Sequence, residues 1–329
     1  MSREERTLAK ALAGQTLDHA DQPDWVRYEY PEWLDTPLCD ALGSSFAAEM
    51  QSLMAEAATD IRVNALKADR EAAIRALKAE KVEALPTAFS PLGLRVTGRP
   101  PLASLDVFKS GAIEVQDEGS QLVALLTDAR PGQRVVDFCA GAGGKTLALA
   151  AQMKNKGHIV ACDVLEGRIM RASTRLRRAG AHNVERRALS TERDPWVKRH
   201  AAAFDRVLVD APCSGSGTWR RNPDQKWRLA PTDLEELLAL QESILRSAAR
   251  LVKQGGRLVY ATCALLPAEN EGQIRRFLET HDKFRVVPVA EVWKTAVGGD
   301  CPTDGDFLRL SPAQHGTDGF FVGVLEREK

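Results

Sequence analysis

From about residue 116 onward, short apolar runs alternate with longer stretches of helical period, and this alternation restricts the fold more than any other feature of the chain. Strands are expected at Arg134–Phe138, His158–Val164, Asn183–Leu189, Arg206–Asp210 and Arg257–Thr262, with two late ones at Phe284–Val289 and Gly319–Leu325. Helices are expected between them, near Lys145–Met153, Glu166–Ala179, Thr232–Lys253 and Ala268–Thr280. Val207, Leu208 and Val209 lack the polar alternation of a half-exposed strand, so this strand reads as covered on both faces. The implied class is α/β, with a seven-stranded, mostly parallel sheet wound on both sides by helices in the Rossmann-like manner.

The preceding third is organised differently. At 329 residues the chain has room for about two domains. Residues 1–60 read as a helical segment, with Leu8, Leu12 and Leu17 on one loose face. Trp25, Tyr28, Tyr30 and Trp33 are expected to anchor that segment on its neighbour rather than to stack on bases. Residues 61–115 read as a small α+β unit, with a strand at Ile61–Leu66, a helix capped by Asp69 and shorter strands near 93–97 and 112–115. The remaining domain spans 116–329.

Composition removes several classes of function. Lys+Arg and Asp+Glu balance at 45 each, so any surface for nucleic acid must be a local patch. Cys39, Cys139, Cys162, Cys213, Cys263 and Cys301 are spread without a CxxC pair or a Cys/His cluster, which speaks against a metal site or a disulfide framework. The charged start, Met1-Ser2-Arg3-Glu4-Glu5-Arg6, does not resemble a secretion signal, and no apolar run suggests a membrane span. A cytoplasmic, monomeric protein with reduced thiols is the expectation.

Two strand ends carry the candidate chemistry. The strand at Arg206–Asp210 exits through Ala211-Pro212 to Cys213 and a Ser214-Gly215-Ser216-Gly217 loop, where open α/β sheets bind ligands. The next strand ends at Ala261-Thr262-Cys263. Adjacent parallel strands lie about 5 Å apart, so the two thiols are expected to share one crevice with Asp210. Upstream, Asp137-Phe138 leads into Cys139-Ala140-Gly141-Ala142-Gly143-Gly144-Lys145-Thr146. That loop fails the phosphate-binding P-loop pattern because position 139 is Cys, and it fails G-x-G-x-x-G because Thr146 stands at the last glycine. An S-adenosylmethionine loop asks only for an acidic strand end and glycines beside the ligand. Asp163, ending the second strand, suits a ribose diol; Arg168, a turn later, is either a partner of that region or a solvated charge.

Two thiols and a carboxylate beside a methyl donor suit one difficult reaction. Carbon 5 of a pyrimidine is a poor nucleophile until a thiolate adds at carbon 6. A protonated Asp210 at N3 would stabilise the charge that develops in the ring. A second thiol would assist release.

The sequence resembles the Nol/Nop/Sun family of RNA 5-methylcytosine methyltransferases. The resemblance is carried by Val115–Ser120, Cys139–Thr146, Asp210–Gly217, Arg221-Asn222-Pro223-Asp224, Ala261–Cys263, Pro267–Glu271 and Asp318–Phe321, while Arg62–Lys67 resembles the family's preceding RNA-binding-like module. It implies a class I methyltransferase domain in which Cys263 attacks, Cys213 promotes release and Asp210 contacts both base and cofactor. It also implies that Cys139–Lys145 and Asp163 hold S-adenosyl-L-methionine, with Arg168 nearby. Gly141-Ala142 replaces the family's usual Ala-Pro. Ser190 stands where an acidic contact to the adenine is common, and it is kept as a candidate contact. In DNA cytosine-5 methyltransferases the Pro-Cys thiol attacks, which would reverse the two cysteines; the Ser-Gly-Ser-Gly tail and the second cysteine favour the RNA-type order.

For the RNA itself, Arg171, Arg175, Arg177, Arg178, Arg186 and Arg187 read as a solvated helix face. Arg220, Arg221, Lys226 and Arg228, with Trp219 and Trp227, read as an RNA track beside the Cys213 loop, extended by Arg62 and Lys67. The resulting expectation is an RNA cytosine-5 methyltransferase acting on ribosomal RNA. The rivals are a tRNA enzyme of the same type, a silent ribosome-assembly protein on this fold, and a nicotinamide dehydrogenase.

Overall fold

The computed structural model describes residues 1–14, 19 and 21–328. Helix Arg3–Leu12 buries none of its side chains, and Leu8 and Leu12 are exposed; Leu17 lies outside the described residues. Helices Asp35–Leu42 and Phe46–Met54 bury Tyr30, Leu34, Leu38, Phe46, Met50 and Leu53 against Trp219 and Leu266 of the large domain. Trp25, Tyr28 and Trp33 pack on the same cluster, as expected of anchors.

The small domain is a four-stranded antiparallel sheet of β1 (Thr59–Val63), β2 (Ala84–Pro86), β3 (Gly93–Val96) and β4 (Ile113–Val115), in the order β2-β3-β1-β4. One helix, Arg70–Ala79, covers it; Asp69 caps that helix by accepting from the Ala72 N–H at 2.7 Å. Its apolar core contains Ile61, Val63, Leu77, Leu94 and Ile113.

The large sheet contains β5 (Arg134–Asp137), β6 (His158–Asp163), β7 (Val184–Ala188), β8 (Phe204–Asp210), β9 (Val252–Thr262), β10 (Phe284–Val287), β11 (Leu308–Leu310) and β12 (Phe320–Arg327). Its order is β10-β12-β9-β8-β5-β6-β7, with β11 paired to β12. Strands β5 to β9 are parallel, and β12 pairs antiparallel with β9, β10 and β11. The seven expected strands are all present, and β11 is an eighth that three residues of sequence gave no period to announce. The expected helix 232–253 stops at Ala249, and the chain enters β9 at Val252. Val207, Leu208 and Val209 are fully buried, with separate apolar clusters on the two faces of the sheet.

Strand order reverses between β5 and β8, and the carboxyl ends of these strands with β6 and β9 frame a crevice at that switch point. The parallel register sets Asp210 of β8 beside Ala261 of β9. Cys213 and Cys263 therefore leave neighbouring strands at nearly the same height.

Candidate active site

A cleft of about 1000 Å³ opens at this switch point. It is lined by Asp137, Cys139, Lys145 and Asp163 on one side and by Asp210, Cys213 and Cys263 on the other. The two thiols are half-buried and their sulfurs stand 3.4 Å apart. The hydrogen bond with Cys263 and burial push the Cys213 thiol well above its ordinary range, so Cys213 stays protonated.

Lys145 Nζ lies 2.6 Å from Asp210 Oδ2. Burial alone would draw this ammonium towards neutrality, but the Asp210 carboxylate more than offsets it and Lys145 stays cationic. Lys145 thus places a cation in the cleft against Asp210, the residue for which the sequence suggested a protonated carboxyl.

The glycine loop is built to admit a ligand. Gly143 is left-handed (φ 82°) and starts helix Gly144–Gln152, and a Cβ there would come within 3.0 Å of Ala172 Cβ. Gly141 (φ 54°) lines the cleft, and a Cβ on it would meet nothing within 4 Å, so a side chain there would fill ligand space. Asp163 Oδ2 accepts from the Gly141 N–H and Oδ1 from the Leu165 N–H, both at 2.8 Å, which ties the loop to β6 and leaves lone pairs for hydroxyls. Asp137 Oδ2 accepts from Thr146 at 2.6 Å, while its buried Oδ1 has no partner among the described residues.

Ala140, Ala142, Gly144 and Arg168 also line the cleft; Gly143 supports the loop from behind. Ser190 does not reach it. Its N–H and hydroxyl both donate to Asp194 Oδ2, at 2.9 and 2.8 Å, whereas Leu189 and Glu192 on either side line the cleft. Leu240 and Ile244, from helix Pro231–Ala249, complete the apolar wall and were missed because their helix lies a strand away in sequence.

Much of the expected RNA track is tied up in contacts within the protein, while Trp227 and Arg228 stay exposed. Trp219 is 1% exposed and belongs to the N-terminal anchor cluster. Arg220 Nε donates to Asp318 at 2.6 Å, and Arg221 pairs with the same carboxylate and with Asp117. Lys226 is buried. Arg62 is 4% exposed beside Glu114, and Lys67 donates to the backbone carbonyls of Ser110 and Arg178. Arg175 and Arg178 pair with Glu114, which explains two members of the supposed solvated face. Trp227 remains 57% exposed. Among the described residues no helix is long and apolar enough to cross a membrane.

Residues 124–326 match the family model described as 16S rRNA methyltransferase RsmB/F, and residues 30–103 match the ferredoxin-like domain that accompanies it. A probable ribosomal RNA small subunit methyltransferase B of Synechocystis is 36% identical over 92% of this chain and 67% of its own length. Its Bacillus subtilis counterpart is 34% identical over 91% of this chain, which spans 66% of that relative. The chain thus spans about two thirds of the curated relatives' length. The crystal structure of PH0851 superposes with a TM-score of 0.87 at 35% identity, covering 97% of this chain and 71% of that one. A methyltransferase homologue from Pyrococcus horikoshii gives 0.79 at 27% identity over 93% of this chain and 97% of its own. A doubly wound sheet, a glycine cradle at its switch point and an acidic end to β6 are the parts of an S-adenosylmethionine-dependent methyltransferase, and with these matches the chain belongs to the RsmB/F family of 16S rRNA methyltransferases.

Proposed function

We propose that this chain methylates carbon 5 of a cytosine in small-subunit ribosomal RNA through a covalent adduct between Cys263 and carbon 6 of the base. The observation that carries this reading is the pair of thiols 3.4 Å apart in the cleft that also contains the Lys145–Asp210 pair. The cleft fits S-adenosylmethionine: Gly141 leaves room, Asp163 suits the ribose hydroxyls, and the unpartnered Asp137 Oδ1 suits a cationic amine. When bound, that cofactor supplies a sulfonium methyl, which carbon 5 takes up while the carbon–sulfur bonding pair remains on sulfur.

The protein prepares both ends of this transfer. Cys263, as thiolate, adds to carbon 6, and the π electrons of the carbon 5–carbon 6 bond move to make carbon 5 nucleophilic. Asp210 accepts from the exocyclic amine of cytosine, and the Lys145 ammonium stabilises negative charge in the ring. After methylation carbon 5 loses its proton to water, the double bond re-forms and the Cys263 sulfur leaves with the carbon–sulfur pair. Cys213, protonated and in contact, donates a hydrogen bond to the departing thiolate. A base must leave its stack to enter such a cleft, and exposed Trp227 offers a face for a neighbouring one.

The test is methyl transfer from labelled S-adenosylmethionine to transcribed small-subunit RNA, followed by bisulfite mapping. Protection of one or a few cytosines is expected. Label found at another atom, or in no RNA offered, would overturn the reading.

A further inference from the structure

Glu269 and Asn270 are 0% and 4% exposed, in the turn between Cys263 and helix Glu271–Thr280. Neither lines the cleft. These sequence neighbours nevertheless reach to different strand ends.

Glu269 Oε1 accepts from the Ser214 N–H at 2.8 Å and from Gln241 Nε2 at 2.9 Å, and Oε2 accepts from the Ser214 hydroxyl at 2.5 Å. Gln241 Nε2 also donates to the Pro212 carbonyl at 3.0 Å. The residues on both sides of Cys213 therefore hang on Glu269, one directly and one through Gln241. Asn270 Oδ1 accepts from the Thr262 hydroxyl at 2.5 Å, and its Nδ2 donates to the Ala264 carbonyl at 3.0 Å. Those two residues flank Cys263. Each cysteine is thus gripped through its neighbours by its own buried side chain.

We propose that Glu269 and Asn270 are positioning residues with separate duties: Asn270 aims the Cys263 arm for attack, and Glu269 aims the Cys213 arm for release. The inference rests on the covalent reading above. Its physical basis is that a thiol must be held within a fraction of an ångström to react, and a loop alone does not hold it there. Buried carboxylates and amides are costly unless fully bonded, so loss of one grip lets that arm relax. The two arms also touch, through the Gly217 N–H donating to the Cys263 carbonyl at 2.9 Å, so the separation of duties is a real question.

The experiment compares Glu269→Ala and Asn270→Ala in the whole protein, using transcribed small-subunit RNA and labelled S-adenosylmethionine. Adduct formation and release of methylated RNA are timed separately on denaturing gels. For Asn270→Ala, adduct formation should slow on the order of tenfold or more, without adduct accumulating. For Glu269→Ala, formation should stay within about twofold of wild type while release slows by a similar order, so adduct accumulates. Glu269→Gln and Asn270→Asp keep part of each grip and should recover part of the affected step only; they also serve if an alanine variant fails to fold. Equal slowing of both steps in both positions, in the conservative variants as well, would overturn the division. A wild-type protein that methylates without any adduct would sink the covalent reading itself, and that is visible before any variant is compared.

Discussion

Asp137 stands in the cleft with one oxygen on Thr146 and the other without a partner among the described residues, and burial pushes its pKa up to about 7. In the unfolded chain this carboxyl titrates near 3.8, so between the two values the folded state binds the extra proton. Its contribution to stability therefore falls as pH rises through that window, and Asp137→Asn should flatten this slope in urea titrations. A cationic amine against Oδ1 would favour the carboxylate, so cofactor binding below pH 7 should expel a proton and tighten as pH rises towards 7. Calorimetry in buffers of different ionisation heat reads that proton; an unchanged pH dependence in Asp137→Asn would contradict it. Single residues also mark where sequence reading stops. Trp219 and Trp227 are the same residue type eight positions apart, yet one is 1% and the other 57% exposed. Arg220 reads as a surface cation until Asp318, nearly a hundred residues away, is brought to it. Trp219→Ala should cost about 3–5 kcal/mol of unfolding free energy, whereas Trp227→Ala should leave stability unchanged and weaken RNA binding.

Elements turn these residues into a site. The apolar run of β8 and the late strands were legible because period alone separates a doubly covered strand from an amphipathic helix. The approach of Cys213 and Cys263 was legible too, since both follow strand ends and the parallel register does the rest. What holds the loops was not: Ser214 and Glu269 are 55 positions apart and neither lies in a periodic stretch. The same applies to Gly217, whose N–H donates to the Cys263 carbonyl while its own carbonyl accepts from the Gly319 N–H at 2.8 Å. A Cβ on Gly217 would fall 2.4 Å from the Gly319 carbonyl oxygen, and backbone cannot swing aside as a side chain can. Gly217→Ala should therefore push the Cys213 loop from Gly319 and break its hydrogen bond to the Cys263 carbonyl, lowering adduct formation through the Cys263 arm, with cofactor affinity preserved because the glycine cradle follows β5. Unaltered kinetics would show that the loop tolerates the shift.

Across the whole molecule, buried polar side chains stitch the parts together beside the apolar cluster of the N-terminal helices. Asn64 is 5% exposed and donates from Nδ2 to the carbonyls of Gly111 and Ala179, each at 2.8 Å, joining the small domain to the large. Glu49 accepts from Ser311, Ala313 and Gln314, fastening the N-terminal helices to the turn before β12. Asn64→Ala leaves two carbonyls unpaired and should cost about 1–3 kcal/mol, read as a lower urea midpoint. A molecule so tied presents the cleft as one preformed site, with β8 and β9 setting the distance between its sulfurs. The most direct test of that claim is a denaturing gel of RNA with the two cysteine variants in the presence of S-adenosylmethionine. Cys213→Ala should leave protein covalently attached to RNA, and Cys263→Ala should leave none; attachment in Cys263→Ala with none in Cys213→Ala would contradict the account.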